Sequence, residues 1–188
     1  LEVRVEAYDG DREVFNERAD SSAGIAGFRD TYLTRGESGV SPATDMVLEE
    51  KIPFQVPARR PDPESSSYPD GHPSTSSFFT LRIKLLNPGE ETGEENKIAL
   101  MRGRSGFVLN YRNGWKPRGG RSYQAVLMGG TACEDSEAAS RLEDFLWRSE
   151  PPAHDQWSHA RPELKTRYQR GGRRELDNLM TEVNSRIR

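Results

Sequence analysis

A disulfide is excluded at once, because Cys133 is the only cysteine in the chain. The same scarcity excludes a multi-cysteine zinc site and fits a reducing, cytoplasmic compartment. Glu134 and Asp135 follow the thiol directly, and neighbouring carboxylates raise a thiol pKa rather than lower it. A catalytic cysteine is therefore not expected. No apolar run approaches the ~20 residues that span a bilayer, and the opening LEVRVEAYDG alternates like a strand rather than reading as a signal peptide. No membrane partner is expected. The phosphate-cradling loops G-x-x-x-x-G-K-[ST] and G-x-G-x-x-G are both missing, so no cofactor is expected either. An initiating Met is missing too, which reads as a piece excised from a larger protein with its main activity elsewhere.

What is present is polar and unevenly charged. Hydrophobic residues make up 33% and charged residues 30%, with 12 prolines and 17 glycines, which implies many loops and a modest core. The net charge of −3 conceals strong segregation. Residues 1–96 carry ten Lys and Arg against nineteen Asp and Glu, whereas residues 97–130 carry seven cations and no acid. Residues 131–160 are acidic again, and residues 161–188 are basic. The overall pI of about 5.7 therefore says little about what any one face binds.

Apolar periodicity orders the chain. Residues 1–15 alternate and turn at Asp9-Gly10, a hairpin pattern. Residues 16–45 are rich in Gly, Ser and charge, with a short helix predicted over Ser21–Tyr32. Residues 46–60 read as a strand pair or a bent strand, and Pro53 and Pro57 place it at a sheet edge or bulge. Residues 61–77 are a loop by composition, followed by a strand at 78–86 and an acidic loop at 87–96. Residues 97–113 read as two strands meeting at Gly103–Gly106, and 121–130 as another strand with Val126, Leu127 and Met128 buried. An amphipathic helix follows over 136–149, with Ser136 as N-cap and Leu142, Phe145 and Leu146 as its stripe. Pro151-Pro152 ends it. A second helical region begins at Arg161, with Pro162 in its first turn and an interruption at Gly171-Gly172. Beyond it, Leu176, Leu179, Met180, Val183 and Ile187 recur at helical spacing.

Strands grouped before helices point to an α+β fold. The predicted architecture is an antiparallel β-sandwich-like or curled sheet core over residues 1–130, followed by two or three C-terminal helices over 131–188 packed on it.

The stretch SEPPAHDQW (149–157) is the part most like an active site. A metal-dependent hydrolase, however, requires further His and Asp ligands, and the chain has only His72, His154 and His159. A triad on His154 requires a Ser in a strained elbow, and G-x-S-x-G does not occur. Residues 149–157 are read instead as a junction. Asp155 or Ser158 is expected to cap the next helical region, and Trp157 to bury its ring with its indole N–H partnered. His72 is expected to be unpositioned in its loop. No catalytic residue and no metal ligand is assigned.

The acid-free stretch is the main functional signal. Its cations Lys97, Arg102, Arg104, Arg112, Lys116, Arg118 and Arg121 are interleaved with Phe107, Tyr111, Trp115 and Tyr123. Positive charge with aromatics available to stack is a nucleic-acid-binding composition. The candidate contact set is Arg102, Arg104, Arg112, Trp115, Lys116, Arg118 and Arg121. Within it, Arg102-Gly103-Arg104-Ser105-Gly106 offers backbone N–H groups and two guanidinia to a phosphate, or is a glycine turn with solvated arginines. The alternative for the whole stretch is pairing with acids at 87–96 or 134–144 once folded. The C-terminal amphipathic segment either packs on the sheet or docks on another chain.

Three segments carry a family resemblance. KIALMRGRSGFVLNY resembles an ALxRGxxxxVxY block in the C-terminal half of large bacterial proteins. Those proteins begin with an ATPase domain of the histidine-kinase, Hsp90 and MutL type. SYQAVLMGGTA resembles the strand after that block, and FLWRSEPPAHDQW the EPPxHDxW segment that closes it. LEVRVEAYDGD resembles the strand that enters this half. Arg104 and Ser105 depart from the block, standing in place of a more apolar, Pro-containing turn. The ATP-binding Asn and Asp-x-Gly motifs of the class are absent here. The resemblance implies a non-catalytic accessory domain downstream of such an ATPase, in a protein of antiviral defence. Its expected partners are other domains of the parent protein and, alternatively, DNA or RNA.

Overall fold

Two-residue alternation becomes strand pairing along most of the first two thirds of the chain. The computed structural model describes residues 4–9, 12–18, 23–34, 46–90, 92–116, 118, 120–169 and 172–188. Strands β1 (Arg4–Asp9) and β2 (Arg12–Arg18) pair antiparallel as a separate two-stranded ribbon. The turn residue Gly10 and the predicted helix start at Ser21 and Ser22 lie outside the described residues, as do residues 35–45 and Gly171. Helix α1 (Ala23–Leu33) follows.

The main sheet contains β3 (Val47–Val56), β4 (Thr75–Leu85), β5 (Lys97–Arg102), β6 (Phe107–Asn113) and β7 (Tyr123–Gly129), in the order β3-β4-β7-β5-β6. Residues 46–60 thus hold one ten-residue strand with Pro53 on the sheet edge, where its missing N–H breaks no ladder bond. All pairings are antiparallel except β5 with β7. Parallel neighbours require a crossover. Here β6 folds back to the outer edge and ends beside Lys97, and β7 starts beside the same end of β5.

The C-terminal third forms α2 (Glu137–Ser149), α3 (Pro162–Arg167) and α4 (Gly172–Ile187). Ser136 caps α2, its Oγ accepting from the Ala139 N–H at 3.1 Å. Leu142, Phe145 and Leu146 of α2 meet Phe79, Leu81, Leu100 and Leu127 of the sheet, and Leu164, Leu179 and Val183 extend that core. The opposite face buries Phe28 of α1 against Ala99, Met101, Val126 and Met128. Both faces of β7 are therefore covered, and all seven of its residues are buried, which is why it reads as an apolar run.

The fold is α+β with C-terminal helices. The sandwich-like or curled core is not found: the strands form a single five-stranded mixed sheet, neither closed nor curled. The physical reason is visible in β7 and β5. Their two apolar faces are satisfied by helices on opposite sides, so no second sheet is needed to bury them.

Candidate functional site

The turn between β5 and β6 requires two left-handed residues, and Gly103 (φ 73°) and Gly106 (φ 66°) supply them. The turn aims Arg102 back at Glu143 of α2 and at Glu150, the extended residue that caps the end of that helix. Arg102 donates through Nε and Nη2 to both oxygens of Glu150, the second bond being 2.7 Å, and through Nη1 to Glu143 at 3.0 Å. The Glu150 side chain is fully buried. Hydrogen bonding to Glu150, above all, holds the Arg102 guanidinium above its ordinary pKa. Glu143 accepts further bonds from the backbone N–H groups of Gly103 at 3.0 Å and Thr131 at 3.1 Å. The RGRSG turn does hold an anion, and the anion is the protein's own carboxylate.

Glu150 has one more partner. His154 Nδ1 lies 2.8 Å from its Oε2, with His154 itself held at φ 51°. Trp157 packs on Phe79 with ring centroids 5.5 Å apart, and the Asp155 carbonyl accepts from Asn110 on β6. Residues 149–157 are a junction that clamps α2 to the sheet. Two details differ from expectation. The capping role expected of Asp155 or Ser158 is not taken up, since Arg161 occupies the N-cap position of α3 and no side chain caps the helix. The Trp157 indole N–H is buried without a partner. His159 Nδ1 lies against an Asp177 carboxylate oxygen of α4. Among the described residues, no cluster of His, Cys, Asp and Glu can hold a metal.

The seven cations separate into groups. Lys97 pairs with Glu94 at 2.5 Å, and Arg104 pairs with Asp135 at 2.5 Å on the surface. Arg121 donates twice to the Leu86 carbonyl, at 3.1 and 2.8 Å, tying the basic loop to the acidic one. Lys97 and Arg102 sit at opposite ends of β5, roughly 17 Å apart at the usual strand rise. The set does not converge on one strip. Arg112, Lys116 and Arg118 are exposed, and among the described residues none has a carboxylate partner. Trp115 is half-buried, its N–H donating to Asn184 of α4 at 2.8 Å. The aromatics divide likewise. Tyr123 is core, its hydroxyl pushed up to about 12 by burial; Tyr111 packs on Phe28 with centroids 4.9 Å apart; Phe107 is half exposed.

A second polar cluster has no counterpart in the sequence pattern. Arg59, whose side chain is fully buried, donates to Asp144 and to Ser65, both at 3.0 Å. Tyr168 donates to the same Asp144 at 2.5 Å; burial, then Asp144, push its hydroxyl pKa up. His72, expected to be loose, is 7% exposed and pairs with Arg59 in a β-bridge. Burial lowers its pKa. Nothing in the local pattern of 59–72 flags this, because the partners come from α2 and from Tyr168, the residue after α3. The Cys133 thiol is pushed up mainly by burial, with Glu134 a smaller contributor.

No known protein family, curated protein or solved structure matches the chain.

Proposed function

We propose that the chain is a non-catalytic accessory domain of a larger bacterial multidomain protein, contacting a partner domain or ligand through a basic face. One observation carries this reading. The acid-free stretch divides into cations that meet acceptors within the domain (Lys97, Arg102, Arg104, Arg121) and cations facing solvent with no acidic partner among the described residues (Arg112, Lys116, Arg118). The second group leaves the domain a contact surface.

The resemblance to the region downstream of a histidine-kinase, Hsp90 and MutL type ATPase supports the same reading. Its two most distinctive blocks, around Arg102 and around Glu150–His154, meet in one hydrogen-bonded cluster. On this reading the parent is a cytoplasmic protein of antiviral defence, and the domain relays interactions for it.

The test is lysine-directed cross-linking of the parent polypeptide with mass-spectrometric mapping. Lys116 is expected to cross-link to residues outside this chain, and Lys97, already paired with Glu94, to do so less. Cross-links from Lys116 confined to this chain would overturn the reading.

A further inference from the structure

Arg112 lies on the edge strand β6, and Lys116 and Arg118 lie in the loop after it. The structure adds a fourth cation. The Arg188 guanidinium sits 5.8 Å from the Trp115 ring centroid, while Asn184 of the same helix binds the Trp115 N–H. The end of α4 therefore lies beside Trp115, and all four cations are exposed. Among the described residues, the carboxylates of the neighbouring acidic loop have partners of their own, although Glu90 and Glu95 line one cavity with Lys116. Glu94 pairs with Lys97, Glu90 accepts from the Asn87 N–H at 3.0 Å, and Glu95 accepts from the N–H groups of Thr92 and Gly93. Those backbone bonds lower the Glu95 pKa.

We propose that Arg112, Lys116, Arg118 and Arg188 form a surface for the phosphate backbone of a nucleic acid. The proposal rests on the accessory-domain reading and names the partner. Charge decides the class: four exposed cations with no carboxylate partner among the described residues attract a polyanion. The large exposed apolar side chains among the described residues, Ile25, Leu33, Phe107 and Trp147, lie outside this patch, and Phe107 is at the far end of β6. A lipid surface or a protein hot spot needs such apolar groups; a phosphate backbone does not. Trp115 is half-buried with Arg188 over its ring, so it positions the arginine. Recognition is then electrostatic and independent of base sequence.

The experiment is fluorescence anisotropy with a labelled 20-nucleotide single strand and a 20-base-pair duplex, as DNA and as RNA, at 50 and 200 mM salt. Contacts to three or four phosphates predict a duplex affinity falling roughly 40- to 150-fold across that range. The Arg112→Glu/Lys116→Glu/Arg118→Glu variant is expected to lose binding more than tenfold, while Lys165→Gln, on α3 and outside the patch, leaves it unchanged. Thermal melts check folding. If the triple variant melts early, Lys116→Gln alone is used and is expected to reduce the salt slope by about 1. Absence of binding at 50 mM overturns the proposal, as does binding that survives both sets of substitutions. Equal or stronger binding to phosphatidylserine vesicles overturns it in favour of a lipid surface. If Lys116 still cross-links beyond the chain when nucleic acid fails to bind, the accessory reading stands with a protein partner.

Discussion

Arg102 shows how far one residue's meaning depends on its partners. In sequence it is a cation beside two glycines, the ordinary furniture of a phosphate loop. In the fold its guanidinium bridges Glu143 and Glu150, and the Glu150 side chain has no solvent exposure. Removing Arg102 leaves the buried Glu150 carboxylate with His154 alone beside it, and losing the partner of a buried charge typically costs about 3–5 kcal/mol. Arg102→Ala is expected to lower stability by about that amount in urea unfolding, and Glu150→Ala by less, because Arg102 keeps Glu143. The Arg102→Met/Glu150→Leu pair is expected to recover most of it, because both charges leave together. His72 gives a pH prediction. Its folded pKa lies below the ordinary 6.5, so the unfolded chain takes up a proton first as pH falls through that value. This group's contribution to stability is full above about 6.5 and declines below it. The groups around it are Arg59 and Arg141, which reinforce the depression after burial, and Asp144, which opposes it. Stability measured from pH 8 to pH 5 is expected to fall less steeply in His72→Gln than in the parent.

At the scale of elements, local chemistry was readable wherever the signal was itself local. Ser136 sits before an amphipathic run, and it caps α2. Gly103 and Gly106 mark a turn, and both have positive φ. Pro162 opens α3. The Ser136→Ala substitution is expected to lower the urea midpoint, by about 1 kcal/mol of stability, because it removes the acceptor of the Ala139 N–H. Residues 46–60 were less legible. The two prolines pointed to a sheet edge or a bulge, and β3 is an edge strand, but the expected strand pair or bent strand is one ten-residue strand. The loop at 61–74 was least legible. Its proline- and serine-rich composition has no period, yet Arg59 and His72 within or beside it are buried because α2 and Tyr168 supply Asp144 and a phenol to meet them.

The scale of the whole molecule is where the two readings of the basic stretch separate. Charge segregation along the chain is plain in the sequence, but neutralisation happens across it. Asp135, Glu143 and Glu150 reach Arg104 and Arg102 from 31 to 48 positions away. Deleting residues 161–188 is expected to abolish cooperative thermal unfolding, monitored by near-ultraviolet circular dichroism. Leu164, Leu176, Leu179 and Val183 belong to the core shared with the sheet, and their loss uncovers the part of β3 on which α4 packs. The strand and helix content of this region, the α2 cap and stripe, the β5–β6 turn and the burial of β7 all follow from the amino-acid order, because propensity, capping and periodicity act over a few residues. The order β3-β4-β7-β5-β6, the helices on both faces, and the division of seven cations into paired and exposed groups were decided only by tertiary structure. Each depends on which distant segments meet, and burial, hydrogen bonding and ion pairing act between those segments rather than along them.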